Sequence, residues 1–160
     1  MFSIDKKFMQ KILFVCLGNI CRSPLAEGIM LHLKQKHNLK LEIDSAGTAN
    51  YHVGEAPDRR TIANAKKNGV DLSSLRARQF HVSDFDGFDS IYVMDKNNLR
   101  NVLSMAKTPT QKDKVELFLN TVYNGQNQEV PDPYYGTEDD FEAVFKLLYA
   151  ACEKFAERLK

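Results

Sequence analysis

The segment Cys16-Leu17-Gly18-Asn19-Ile20-Cys21-Arg22-Ser23 holds the residues best placed to do chemistry. Cys16 and Arg22 are separated by five residues, and Ser23-Pro24 follows directly. A loop of that length, leading into a helix, can curl so that its backbone N–H groups point inward and form a nest for an oxyanion. Gly18 is expected to supply backbone freedom closed to other residues, and Asn19 tolerates the left-handed region better than most. Arg22 offers a planar fork that can grip two phosphate oxygens. The same positive field favours the thiolate of Cys16, which is the nucleophilic form, and Ser23 stands where it can hydrogen-bond the sulfur. Taken alone, Cys16 reads as a buried cysteine at a strand end, because free cysteine is commonly buried. Its setting changes that reading: an apolar strand before it, Gly-Asn within the loop and Ser-Pro after Arg22.

The elements that would position this loop alternate along the chain. Ile12 to Val15 is a short apolar run rich in strand formers. Ser23 is expected to cap a helix with Pro24 at its first position, and Leu25, Ile29 and Leu33 recur at helical spacing. Further strands are expected at Leu41 to Ala46, Ser90 to Met94 and Val115 to Leu119. Helices are expected at Pro57 to Asn68, closed by Gly69, and at Lys96 to Ala106. After Thr137, the residues Phe141, Val144, Phe145, Leu148, Cys152, Phe155 and Leu159 form one apolar stripe. This alternation implies an α/β doubly wound four-stranded parallel sheet with helices on both faces. In such sheets ligands bind beyond the carboxyl ends of the strands, which is where Cys16 falls.

Bulk properties narrow the function. With 160 residues the chain is expected to be one domain, residues 1–10 forming an N-terminal extension. Its charge is nearly balanced, 22 Lys+Arg against 21 Asp+Glu, which gives no reason to expect nucleic acid or an anionic membrane as partner. Three cysteines are an odd number, so a complete disulfide framework is excluded and a reducing, cytoplasmic setting fits. The apolar N-terminal run reads as a strand rather than a signal peptide, and no stretch approaches the roughly 20 apolar residues of a membrane span. No histidine spacing suggests a metal site, so neither metal nor cofactor is expected.

The run C-L-G-N-I-C-R-S-P-L-A-E resembles the signature of the low-molecular-weight protein tyrosine phosphatases. Asp44-Ser45-Ala46-Gly47-Thr48, His52-Val53-Gly54, Arg76-Ala77-Arg78-Gln79, Val93-Met94-Asp95 and Val130-Pro131-Asp132-Pro133-Tyr134-Tyr135-Gly136 also resemble family segments, in order. The resemblance implies a flavodoxin-like fold and metal-free hydrolysis of phosphotyrosine, on a protein or a small aryl phosphate, with inorganic phosphate as product and inhibitor. It implies Cys16 as nucleophile, Arg22 as phosphate clamp, Asp132 as general acid, and Cys21 as partner to Cys16 in a reversible disulfide. From the residues alone, Asp132 in a Pro-rich turn reads more simply as a backbone cap. Tyr134 and Tyr135 could form one wall around a substrate ring and Tyr51 another; Tyr51 reads equally well as a surface aromatic. Asp44 and Asp95, at strand ends, read first as caps. Leu75 stands where family members often carry a His that supports the loop Asn, so Asn19 must find other support.

Three other readings compete. An arsenate reductase on the same fold needs further cysteines downstream, and only Cys152, on the expected core stripe, remains. A protein arginine phosphatase resembles this chain but carries Thr where Ile20 stands; Ile20 suits a flat aromatic ring. A phosphate-binding module without catalysis has no use for Cys16 and Asp132 together.

Overall fold

The computed structural model describes residues 9–160. Residues 1–8, most of the expected extension, lie outside the described residues. Gln10 already belongs to the first strand, paired with Leu41.

Four parallel strands form one sheet in the order β2-β1-β3-β4. They are β1 (Gln10–Cys16), β2 (Leu41–Gly47), β3 (Ser90–Val93) and β4 (Val115–Leu117). The chain steps from β1 outward to β2, then crosses back over β1 to β3. The switch point therefore lies between β1 and β3, and Cys16 ends β1 there. Residues 12–16 of β1 are all buried, as expected of a central strand covered on both faces.

Alternation along β1 divides the core. Ile12, Phe14 and Cys16 face a cluster with Leu25, Ile29 and Leu33 of α1 (Arg22–His37) and Val144, Leu148 and Phe155 of α6 (Glu138–Glu157). Leu13 and Val15 face the opposite cluster, with Phe85 from α3 (Asp84–Gly87) and Val102 from α4 (Lys96–Met105). Helices thus cover both faces. The remaining helices are α2 (Arg59–Lys67) and α5 (Pro109–Asp113).

Several expectations are corrected. Ser23 does not cap α1: the helix begins at Arg22 with Cys21 in the cap position and no side-chain cap, and Pro24 is its third residue. The cap of α2 is Asp58, which accepts the Arg60 N–H, so this helix starts after Pro57. The fourth strand ends at Leu117, and Phe118–Thr121 turns into a 3-10 helix. Gly69 closes α2 with φ +88, the left-handed conformation its position requires. No helix of the described residues is long and apolar enough to cross a membrane.

Candidate active site

The loop after β1 is held by its neighbours rather than by itself. The N–H groups of Thr48 and Ala49 donate to the carbonyls of Cys16 and Leu17, each at 2.9 Å. At the hinge between them Gly47 is obligatory in space: a Cβ there would lie 2.7 Å from the Leu17 carbonyl oxygen and 3.0 Å from the Gly18 carbonyl carbon. Gly18 corrects an expectation. It is not among the residues with positive φ, and a Cβ on it would meet His52 Cδ2 at 3.2 Å. Its smallness makes room for His52; the left-handed turn belongs to Asn19 alone, at φ 57.

Asn19 is 2 % exposed and fully engaged. Its amide donates to Ser23 Oγ at 2.8 Å and to Ser45 Oγ at 2.9 Å, and its Oδ1 accepts the Arg78 backbone N–H at 3.0 Å. This is the support that replaces the family His: Leu75 instead packs against the core. The Asn19 contacts also fix hydroxyl directions. Accepting from Asn19, the Ser23 hydroxyl lies 2.9 Å from Cys16 Sγ and 3.4 Å from the Ala46 carbonyl, and donates to the sulfur when Cys16 is a thiolate. Ser23 therefore serves the sulfur and leaves the helix uncapped.

Ser45 donates in turn to Glu27 Oε1 at 2.6 Å. Glu27 is 8 % exposed, and burial pushes its carboxyl up to about 7, with Asp44 adding to the rise while the Ser45 hydrogen bond and Arg78 oppose it. Because this pKa lies above the unfolded value of 4.5, the native state holds the proton more tightly, and stability falls as pH rises from about 4.5 to about 7. Across that window the loss is about 3 kcal/mol. Glu27→Gln should remove most of that loss, so thermal unfolding at pH 5 and pH 8 should differ less in the variant than in the parent protein. An unchanged pH dependence would show that Glu27 is not buried as a proton-holding group.

Arg22 is 3 % exposed and tied on several sides. Its Nη1 donates to Asp95 Oδ2 at 2.7 Å and to the Val130 carbonyl at 3.0 Å, and Nη2 lies 3.7 Å from Asp132 Oδ2. Burial opposes its charge, yet Cys16, Asp95 and Asp132 together hold the guanidinium above its ordinary pKa. Asp95 joins both readings open for it, since its Oδ1 also caps α4 by accepting from Asn98 N–H at 2.8 Å. Asp44 pairs with Arg78 at 3.0 Å and accepts the Ser45 N–H. Asp132 likewise does two things, accepting the Tyr134 N–H at 3.1 Å while facing Arg22.

One cleft of about 280 Å³ gathers the expected residues. Cys16, Leu17, Gly18, Ile20, Cys21 and Arg22 form its floor, and Asp132 its side. Tyr51, Tyr134 and Tyr135 all border it. Tyr134 and Tyr135 meet edge to face at 4.9 Å, while Tyr51 is 70 % exposed and packs edge-on against His52. Asn19 and Ser23 lie behind the floor and shape it. His52 also lines the cleft, Nδ1 held 3.1 Å from Glu55; the sequence offered only its place in a family segment as a sign of this. Cys21 lies beside Cys16 in the cleft, and burial pushes its thiol up to about 12 against the opposing Thr61 hydroxyl contact. Cys152 is wholly buried in α6, away from the cleft.

A doubly wound sheet with a cysteine and a buried arginine on the loop at its switch point defines the class: an α/β protein whose ligand cleft lies at the carboxyl end of β1. The family model described as low molecular weight phosphotyrosine protein phosphatase matches residues 11–160. The phosphatase of that name from Schizosaccharomyces pombe is 46% identical over 93% of this chain and 96% of its own. The human protein of that name is 40% identical over 93% and 95%. A crystal structure of a protein tyrosine phosphatase from Entamoeba histolytica superposes with a TM-score of 0.86 at 41% identity, covering 94% of this chain and 96% of that one. The chain belongs to the low molecular weight phosphotyrosine protein phosphatase family.

Proposed function

We propose that this protein hydrolyses phosphotyrosine through a phosphocysteine intermediate, residues 1–160 working as one catalytic domain. The observation that carries the reading is the meeting of Cys16, Arg22 and Asp132 in one cleft, with Ser23 at the sulfur and Asp132 on the guanidinium. The loop N–H groups and Arg22 hold the three free phosphate oxygens, so that the Cys16 sulfur lies behind phosphorus, opposite the aryl oxygen. As the S–P bond forms, the P–O bond to the ring breaks and Asp132 protonates the departing phenolate. The Asp132 carboxylate then takes a proton from water as that water attacks phosphorus. The S–P bond breaks, inorganic phosphate leaves, and the thiolate and the Asp132 carboxyl proton are restored. Phosphate fits the same nest and should inhibit as product.

Apolar Ile20 in the floor and the tyrosines at the border suit the cleft to an aryl ester. Phosphotyrosine and phosphoarginine peptides assayed side by side test the choice: kcat/KM should be higher for phosphotyrosine, and a preference for phosphoarginine would replace this reading with that of an arginine phosphatase. The burial of Cys152 speaks against a cysteine relay of the arsenate reductase kind.

In a cytoplasmic, reducing setting the three thiols stay free. Peroxide would oxidise the Cys16 thiolate to a sulfenic acid, itself being reduced to water. Attack by Cys21 on that sulfur would form a disulfide and release water. Because the Cys21 thiol is pushed up to about 12, few molecules carry its thiolate near neutrality, and disulfide closure should quicken as pH rises. Dithiothreitol should restore activity after peroxide, and Cys21→Ser should lose that recovery. Full recovery in Cys21→Ser would remove the switch from the account.

A further inference from the structure

The cleft opens sideways into a second, larger hollow. This groove runs between α2 and α6, meets the cleft at Ile20, His52 and Tyr134, and encloses about 1050 Å³. On the phosphotyrosine reading the phosphorylated ring sits in the smaller cleft beside Cys16 and Arg22, which leaves the groove to other parts of the ligand. Its walls are also charged in a definite way. Five carboxylates face three Arg or Lys side chains across it. Arg60 and Asp58 offset one another, the guanidinium being clamped by Asp58 at 2.9 and 3.1 Å and lying over the Phe141 ring at 4.6 Å, which leaves four carboxylates against Arg59 and Lys67. Glu138 and Asp139, by contrast, are exposed and make no ion pair or side-chain hydrogen bond among the described residues. They stand in the first turn of α6, a site that favours negative charge, separated from the Tyr134-Tyr135 wall by Gly136 and Thr137.

A surplus of negative charge thus adjoins the positive phosphate nest. A ligand that fits both must carry a dianion and a cation within a few residues of each other. The geometry points to a phosphotyrosyl polypeptide as the substrate, its flanking chain laid in the groove with a Lys or Arg facing Glu138 and Asp139. This inference rests on the phosphotyrosine reading above and adds the partner's chemistry to it. Continuity with the cleft favours the substrate itself as the occupant, because a chain attached to the bound ring that leaves past His52 or Tyr134 enters the groove.

The test uses the full chain, p-nitrophenyl phosphate, and phosphotyrosine peptides that differ only in Lys or Glu at flanking positions on either side. The Lys peptides should show kcat/KM about three- to tenfold above the Glu peptides, with the gap narrowing at high salt. In Glu138→Lys/Asp139→Lys the ratio should fall to one or invert, and in the milder Glu138→Gln/Asp139→Asn it should shrink. Equal rates on Lys and Glu peptides in the parent protein, or a preference that persists in both variants, would overturn the proposal. So would a concentration-dependent dimer abolished by the charge-reversed variant, which would put a second copy in the groove. If p-nitrophenyl phosphate itself is not hydrolysed, the phosphatase reading fails and the groove inference falls with it; hydrolysis without a charge preference sinks the groove inference alone.

Discussion

Cys16→Ser should abolish turnover of phosphotyrosine, with kcat reduced by at least about 10⁴-fold, while inorganic phosphate still binds. The size of the loss follows from what the nucleophile contributes in covalent catalysis, where its removal alone costs nearly as much as removing the whole constellation. A serine hydroxyl is a far weaker nucleophile than a thiolate, and no histidine stands beside residue 16 as a general base: His52 lies across Gly18 with Nδ1 engaged by Glu55. Binding should survive because the anion site is built from other parts. Its backbone donors are held by Thr48, Ala49 and Asn19, and its cation by Asp95 and Val130. Isothermal titration with phosphate, beside a rate measurement, separates the two. Substantial hydrolysis by Cys16→Ser would mean that phosphorus is attacked by something else.

The second large effect falls on Asp132, and its signature is a dependence on the leaving group. Asp132→Asn keeps the side chain's size and can still accept the Tyr134 N–H that stiffens the turn, but has no proton to give. Loss of a general acid costs on the order of 10²–10⁴-fold. A leaving group that departs readily as an anion, such as p-nitrophenolate, should feel the smaller part of this, and unsubstituted phenyl phosphate the larger. A uniform loss across the series would instead make Asp132 a holder of Arg22, with which it shares a 3.7 Å contact, rather than a proton donor.

Much of this site was legible in the chain because its parts are local. Cys16 to Ser23 is one uninterrupted segment, and an apolar strand leading into it announces a buried sheet and a place at the carboxyl end of a central strand. What was not legible depends on contacts between distant segments. Ser23-Pro24 has the form of a helix start, yet the helix begins two residues earlier, with Cys21 at its cap, and the Ser23 hydroxyl lies against Cys16 Sγ instead. No local rule weighs a cap against a sulfur that the fold brings within 2.9 Å. Gly18 looked like a conformational necessity, but its reason is His52, 34 residues further along the chain. Asp95 reads as a cap and is one; its second role needs Arg22, which only the pairing of β1 with β3 places beside it. The Glu27–Ser45–Asn19 chain is similarly spread over α1, β2 and the loop, and it explains how Asn19 keeps its left-handed conformation when Leu75 turns to the core. The short helices α3 and α5 passed unread because four or five residues give too little periodicity to register.

The phosphocysteine intermediate is the centre of the account, and it is open to direct capture. Protein mixed with an aryl phosphate and quenched within a turnover should carry one phosphoryl group, located by peptide mass spectrometry on Cys16. The modification should decay as phosphate is released, and Asp132→Asn, which lacks the base for the second step, should accumulate it from a substrate with a good leaving group. A phosphoryl group found on any other residue, or product formed in a full turnover with no modified protein at any quench time in either form, would contradict it.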